Sequence, residues 1–113
     1  MKKDPRIFLQ HILESIEQIE DYTSDMLESE FMDSQETQDA VLRRIEIIGE
    51  AVKNIPDEFK KTHPNIPWRE IAGMRDTIIH EYFNVDLPLV WSTVKKDIPK
   101  LKEQVRRFLE PRG

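Results

Sequence analysis

The sequence predicts an all-α protein, an antiparallel four-helix bundle with a short extra helix and a kinked last helix. The first observation behind this fold class is that apolar residues recur at spacings of three and four along four separate stretches, the period of a helix with a buried face. The second is that short segments connect those stretches, as in antiparallel bundles. The third is a length of 113 residues with 38% hydrophobic and 35% charged side chains, which predicts one domain over residues 1–113 with charged outer faces.

The first predicted helix begins at Asp4–Pro5, a cap residue followed by a proline suited to the first helical position, and ends near Glu30. His11 lies one residue from its apolar stripe. We interpret it as a boundary residue rather than a metal ligand, because no second histidine is spaced to join it. The stripe consists of Phe8, Ile12, Ile16, Ile19, Tyr22 and Met26.

The second predicted helix is apolar on two sides. Asp33 or Ser34 caps it, with Glu36 in its first turn, where the helix dipole favours a carboxylate. Such a helix is either central in a small bundle or part of a subunit interface, and Gly49 and Ala51 permit close approach of a neighbour. We favour a homodimer. The two stripes consist of Val41, Ile45, Ile48, Val52 and Ile55, and of Ala40, Ile47 and Ala51.

Prolines divide the second half of the chain into its helices. Pro56 opens a short helix, and a stiff loop precedes a long helix that starts close to Pro67 and runs to about Phe83. Asp86 caps the last helix. Pro99 falls inside the apolar repeat of that helix, so a kink or break near Asp97 is expected.

A charged residue lies where the long helix that starts near Pro67 should be apolar. Arg75 falls within its apolar stripe, while Asp76 and His80, four residues apart, lie on the adjoining face. One interpretation is a buried arginine paired to a carboxylate on another helix, with His80 an ordinary boundary residue. The other is a phosphate site, because arginine offers a permanent charge in a planar fork and histidine exchanges a proton near neutral pH. The stripe also contains Trp68, Ile71, Ile79 and Tyr82.

The run from Arg75 to Tyr82 resembles the signature of HEPN-domain ribonuclease toxins of the HepT-like type: an arginine, four residues, a histidine, any residue and a tyrosine. The similarity covers most of the chain. It implies the same helical-bundle fold and dimers with composite clefts between protomers. Outside that run, the residues that carry the similarity are Trp68, Ile71, Gly73, Met74, Val90, Trp91, Ile98 and Pro99.

The resemblance implies the toxin component of a type II toxin–antitoxin system, an endoribonuclease acting on tRNA or mRNA without a metal ion. His80 would act as general acid or base, Arg75 would stabilise charge on the phosphoryl oxygens, and Asp76 would orient or tune one of the two. Tyr82 corresponds to the residue that accepts AMP from a cognate minimal nucleotidyltransferase antitoxin. A core or cleft-rim tyrosine is the alternative. The sequence does not indicate which RNA is cut.

Helix geometry bears on whether one chain could form this site. An ideal helix places Arg75 and His80 about 140° apart around its axis and roughly 7.5 Å apart along it, so a single chain makes a poor active site. Two copies across a two-fold axis would collect two arginines and two histidines in one cleft. Gly73 either marks the point where the partner or RNA comes near, or a tight helix crossing within one chain.

The net charge of −5 argues against sequence-independent binding of nucleic acid, but the charge is unevenly distributed. Residues 1–58 carry 6 basic and 15 acidic side chains, and residues 59–113 carry 11 and 7. The positive half contains Arg75 and His80, so its field can attract a polyanion. A merely solvated surface is the other interpretation.

Several classes of site are not indicated. The chain has no cysteine, and its three histidines, His11, His63 and His80, are scattered, so neither a metal site nor a cofactor is predicted. No apolar run is long enough for a membrane span, and a cytoplasmic protein is expected. The competing function is a non-catalytic nucleotide- or partner-binding subunit of a nucleotidyltransferase. A purely structural helical dimer would leave Arg75 without a purpose.

Overall fold

The computed structural model describes residues 4–80 and 85–110, and over residues 77–80 it describes the backbone alone. Within these ranges the chain is all-α, as predicted, and forms an antiparallel HEPN-like bundle of four long helical elements. The prediction of an extra short helix and an irregular last helix is also confirmed. The elements are α1 (Pro5–Thr23), α2 (Glu28–Asp33), α3 (Gln35–Asn54), α4 (Asp57–Thr62), α5 (Trp68–His80), α6 (Leu87–Ser92), a π-helical segment (Thr93–Asp97) and α7 (Ile98–Leu109).

The start of α1 follows the prediction and its end does not. The Asp4 carboxylate accepts a hydrogen bond from the Arg6 amide at 2.9 Å and caps the helix. The helix stops at Thr23, whereas the sequence predicted an end near Glu30. The Thr23 hydroxyl donates to the Ile19 carbonyl at 2.8 Å, a local bond that competes with continued helix. The chain then turns and forms the separate short helix α2. The sequence had predicted only one short helix, the one that corresponds to α4.

Burial of Phe31 explains why α2 does not continue along the axis of α1. Phe31 is fully buried, and its ring lies 5.2 Å from the ring of Trp91, measured between centroids. At the N-terminus of α2, the Glu30 carboxylate accepts a hydrogen bond from the Leu27 amide at 2.8 Å and fixes the first turn.

Helix α3 is the central helix of the bundle, one of the two positions predicted from its apolar perimeter. The Ser34 hydroxyl accepts a hydrogen bond from the Thr37 amide at 3.2 Å, so Ser34 rather than Asp33 is the cap. The helix packs against α1 on one side and α5 on the other. Its first apolar stripe is therefore buried within one chain, whereas Ala40 and Ile47 of the second stripe are only partly buried. The buried residues of the helix are Gln38, Val41, Ile45, Ile48, Gly49, Ala51 and Val52.

The last helical element is continuous but changes its pitch. Asp86 caps α6 by accepting from the Leu89 amide at 3.1 Å, as predicted. The expected irregularity before Pro99 takes the form of the π segment. A proline lacks an amide hydrogen and crowds the carbonyl four residues earlier, and a wider turn accommodates both effects.

The hydrophobic core places α5 at an edge of the bundle. Helix α1 packs against α3 and α7, while α5 packs chiefly against α3. Among the described residues, no helix is both long and apolar enough to cross a membrane. The core contains Leu9, Ile12, Ile16, Ile19, Phe31, Val41, Ile45, Ile48, Val52, Ile55, Ile66, Val90, Trp91, Val94, Ile98, Leu101 and Val105, among others.

Candidate active site

Arg75 lies at the point where α5 crosses closest to α3. Gly49 of α3 is buried, and a Cβ built on it would overlap the Arg75 Cβ and lie 2.6 Å from the Arg75 Cγ. The aliphatic stem of Arg75 therefore occupies the space that any other residue at position 49 would fill. The predicted close approach at Gly49 is thus made within the chain, by a charged side chain.

The guanidinium group of Arg75 is held by two carboxylates. One terminal nitrogen donates to Glu50 of α3, and the other donates to Asp76 at 3.1 Å. The Arg75 side chain is only 20% exposed. Its Nε is buried and has no hydrogen-bond partner within the described residues. The contact with Glu50 is the arginine–carboxylate pair between two helices that one interpretation of the sequence expected.

Asp76 connects this pair to a second cation. Its carboxylate accepts hydrogen bonds from Lys53 of α3 and from Arg75. The bond from Lys53 and then the bond from Arg75 lower the pKa of Asp76 below its ordinary value. Asp76 therefore stays ionised at neutral pH, and it can act as a hydrogen-bond acceptor or an electrostatic partner but not as a proton donor.

Glu50 and Lys53 are the members of this cluster that sequence reasoning missed. Glu50 directly follows Gly49 on α3, and Lys53 lies three residues after Glu50, hence on the same side of the helix. Together the four side chains, Arg75, Lys53, Glu50 and Asp76, carry two positive and two negative charges. A guanidinium has five N–H groups, so Arg75 can keep both carboxylates and still donate to a phosphate oxygen.

The other predicted site residues lie at the limit of the described chain. His80 is the last residue of α5, and its side chain lies outside the described residues, as does the whole of Tyr82. The helical backbone from Trp68 to His80 keeps the angular separation of about 140° between Arg75 and His80 that an ideal helix gives. Their predicted roles therefore stay predictions.

Gly73 differs from Gly49 in its surroundings. It is exposed on α5, and a Cβ built on it would meet no atom of the described residues within 4 Å. A tight helix crossing within one chain was one of the two interpretations of Gly73, and the described part of the chain contradicts it. The crossing is at Gly49 instead.

A cleft of about 340 Å³ lies between α3, α5, the π segment and α7. Its lining is largely apolar, and its polar lining residues are Asn65, Glu70, Thr93, Asp97, Lys100 and Gln104. Arg75 is not among the lining residues, so the cleft is separate from the arginine cluster. The apolar residues are Ile45, Ile48, Ile71, Met74, Ile98 and Leu101.

Neither of the two described histidines outside α5, His11 and His63, is placed in a metal site. His11 is exposed on α1, and His63 packs its ring against Phe59 and Phe108, with centroids 4.3 and 4.2 Å apart. Across the side chains that the structure describes, no group of three or more His, Cys, Asp or Glu residues is placed to hold a metal ion.

Comparison with known proteins relates this chain to one family. The family model described as ribonuclease HepT-like matches residues 12–108. A protein of Methanocaldococcus jannaschii named "Gamma-glutamylcyclotransferase and putative RNase" is 59% identical over 110 residues, which cover 97% of this chain and 50% of that protein. The chain therefore spans half the length of this relative. No solved structure matches the chain.

Two further relatives match over nearly their whole length. The "Probable ribonuclease HepT" of Thermococcus cleftensis is 53% identical over 108 residues, which cover 96% of this chain and 98% of that protein. A "Putative RNase" of Caldanaerobacter subterraneus subsp. tengcongensis is 44% identical over 108 residues, which cover 96% of each chain. The extent of these matches, together with the all-α bundle, shows that the chain belongs to the ribonuclease HepT-like family.

Proposed function

We propose that the protein is a metal-independent endoribonuclease whose active site forms between two copies of the chain. The observation that carries the proposal is the position of the Arg75 guanidinium. It lies in the apolar contact between α3 and α5, and carboxylates from both helices fix it. A cation held in this way is suited to a phosphate oxygen. The names of the relatives, which include a probable ribonuclease HepT, support RNA as the substrate.

The proposed reaction is attack of a ribose 2′-hydroxyl on the adjacent phosphate. The bond from O2′ to phosphorus forms and the bond from phosphorus to O5′ breaks, while one proton leaves the 2′-hydroxyl and one reaches the departing oxygen. His80 acts as general acid or base in these transfers. Arg75 stabilises the charge that builds on the phosphoryl oxygens. Asp76, 3.1 Å from the Arg75 guanidinium, orients that group.

Two features support a homodimer. Arg75 and His80 of one ideal helix point about 140° apart, so the arginine of one copy can meet the histidine of the other more readily than its own. Gly73 is exposed on α5, and no atom of the described residues lies within 4 Å of a Cβ built on it, so the described part of the chain leaves room there for the same helix of a second copy. The first apolar stripe of α3 is buried within the chain, while Ala40 and Ile47 of its second stripe are only partly buried.

The substrate class can be tested by cleavage of labelled tRNA in the presence of EDTA. The protein is expected to cut the RNA and to leave a DNA strand of the same sequence intact, because the DNA lacks the attacking 2′-hydroxyl. The products are separated on a denaturing gel. Cleavage of the DNA at a comparable rate, or loss of RNA cleavage in EDTA, would contradict the proposed chemistry.

We further propose that the protein is a cytoplasmic toxin, neutralised when a cognate minimal nucleotidyltransferase antitoxin transfers AMP to Tyr82. The modification would put negative charge beside the residues that otherwise bind the substrate phosphate. Co-expression with such an enzyme is expected to raise the intact mass by one or more AMP groups and to abolish cleavage, and Tyr82→Phe should prevent both. A mass increase that survives Tyr82→Phe would reject Tyr82 as the acceptor.

One observation favours a different function, a non-catalytic nucleotide- or partner-binding subunit of a nucleotidyltransferase. The arginine cluster is balanced in charge, and both terminal nitrogens of Arg75 are paired with Glu50 and Asp76, as in a structural ion pair. The tRNA assay separates the two functions, since a binding subunit would bind nucleotide or partner without cutting RNA.

A further inference from the structure

We propose that Glu50 is a positioning residue for Arg75, and that Gly49 and Glu50 together form a seat on α3 that fixes the guanidinium where the substrate phosphate binds. The inference rests on the proposed nuclease function, because it concerns the arginine that serves that function. It assigns a role to a residue of α3, outside the signature on α5.

The need for such a seat follows from the arginine side chain itself. Arginine is long and flexible, and ordering it costs rotamer entropy. A group that stabilises a transition state must be held in place before the reaction starts, since its hydrogen bonds are useful only at the right position. Contact with Gly49 confines the aliphatic stem of Arg75. The orientation of the guanidinium group is then set by its polar contacts.

Among the described contacts of Arg75, the one with Glu50 fixes the guanidinium group relative to a second helix. The other contact, Asp76, is the next residue of α5 itself, so it moves with Arg75 whenever α5 moves. Asp76 is also shared with Lys53, which reduces its hold on the arginine. Without Glu50, the guanidinium would keep one carboxylate on its own helix and could swing away from α3.

The exposure of Glu50 separates its positioning role from a role in stability. Its side chain is 47% exposed, so water can solvate it in place of Arg75, and exposed ion pairs contribute little to stability. Substitution of Glu50 should therefore leave the bundle folded while it disturbs the arginine. Residue 50 is distinct from Gly49 in this respect, because a side chain at position 49 collides with α5.

The test compares Glu50→Ala and Glu50→Gln with a matched control, Glu46→Ala. Glu46 lies one turn earlier on α3 and pairs with Arg43 at 2.7 Å, so its loss removes the same charge from the same helix without touching Arg75. We expect kcat for labelled tRNA in EDTA to fall on the order of a hundredfold in Glu50→Ala, with little change in KM. Glu50→Gln keeps a neutral acceptor and should recover part of the loss, and Glu46→Ala should cleave like the unsubstituted protein.

Three results would overturn the role of Glu50. One is equal kcat in Glu50→Ala and Glu46→Ala. Another is faster cleavage by Glu50→Ala, which would mean that Glu50 competes with phosphate for the arginine. The third is a fall in kcat that follows a fall in thermal stability across all variants. Failure of the nuclease function itself is recognised separately, because then the unsubstituted protein does not cut RNA or Arg75→Ala cuts as fast, and the inference fails with it.

Discussion

RNA cleavage is expected to fall by roughly a hundredfold to ten-thousandfold when either His80 or Arg75 is replaced by alanine. Loss of His80 removes the group that transfers protons to and from the ribose and the leaving oxygen. Loss of Arg75 removes the donors that face the phosphoryl oxygens, leaves Glu50 without its cation and leaves Asp76 paired with Lys53 alone. The rates are measured with labelled tRNA in excess EDTA, so that contaminating metal nucleases do not contribute.

The chain offers matched controls for both substitutions. His11 is an exposed histidine on α1, and Arg43 is an exposed arginine on α3 with a carboxylate partner of its own. His11→Ala and Arg43→Ala should cut RNA at the rate of the unsubstituted protein. Cleavage by His80→Ala or Arg75→Ala at that same rate would show that the assignment of these residues is wrong.

The largest loss of stability is expected from Gly49→Ala. The added methyl group would overlap the Arg75 Cβ and lie 3.4 Å from its Cα, and the overlapping atoms belong to the root of a side chain and cannot swing aside. Helix α5 would have to move away from α3. Overpacking of this kind costs typically about 1 to 3 kcal/mol, and we expect the upper end of that range in the free energy of unfolding, measured by urea denaturation.

Gly73→Ala is the matched control, the same change on the helix that faces α3. A methyl group at position 73 meets no atom of the described residues within 4 Å, and alanine is favoured over glycine within a helix by about 1 kcal/mol. The isolated chain should therefore become more stable, while dimer formation and cleavage should weaken if a second copy approaches there. A Gly49→Ala variant as stable as the unsubstituted protein would contradict the close packing of Arg75 on α3.

These two glycines show what the sequence could and could not predict about the site. A glycine inside a helical pattern indicates that something comes close, and both positions were identified in this way. The spacing of residues along the sequence does not show where two helices cross, because the crossing point depends on how α3 and α5 pack in three dimensions. For the same reason the sequence predicted that Arg75 would pair with a carboxylate on another helix without identifying Glu50.

The helices were predictable to the extent that local chemistry sets their ends. Asp4 and Asp86 act as the caps that their positions suggested, and Pro99 marks the irregular turn before α7. The end of α1 was not predictable, because Met26 continues the apolar spacing of the helix after the backbone has already turned at Thr23. The tertiary burial of Phe31 against Trp91 overrides that spacing.

The central claim is that the arginine of one copy works with the histidine of the other. It is tested by co-expressing Arg75→Ala and His80→Ala chains that carry different affinity tags and purifying mixed dimers through both tags. Each mixed dimer holds one intact arginine–histidine pair across the interface, so roughly half the cleavage rate of the unsubstituted protein is predicted from two-fold symmetry. Mixed dimers as inactive as the two parent variants, or the failure of differently tagged chains to associate at all, would contradict the account.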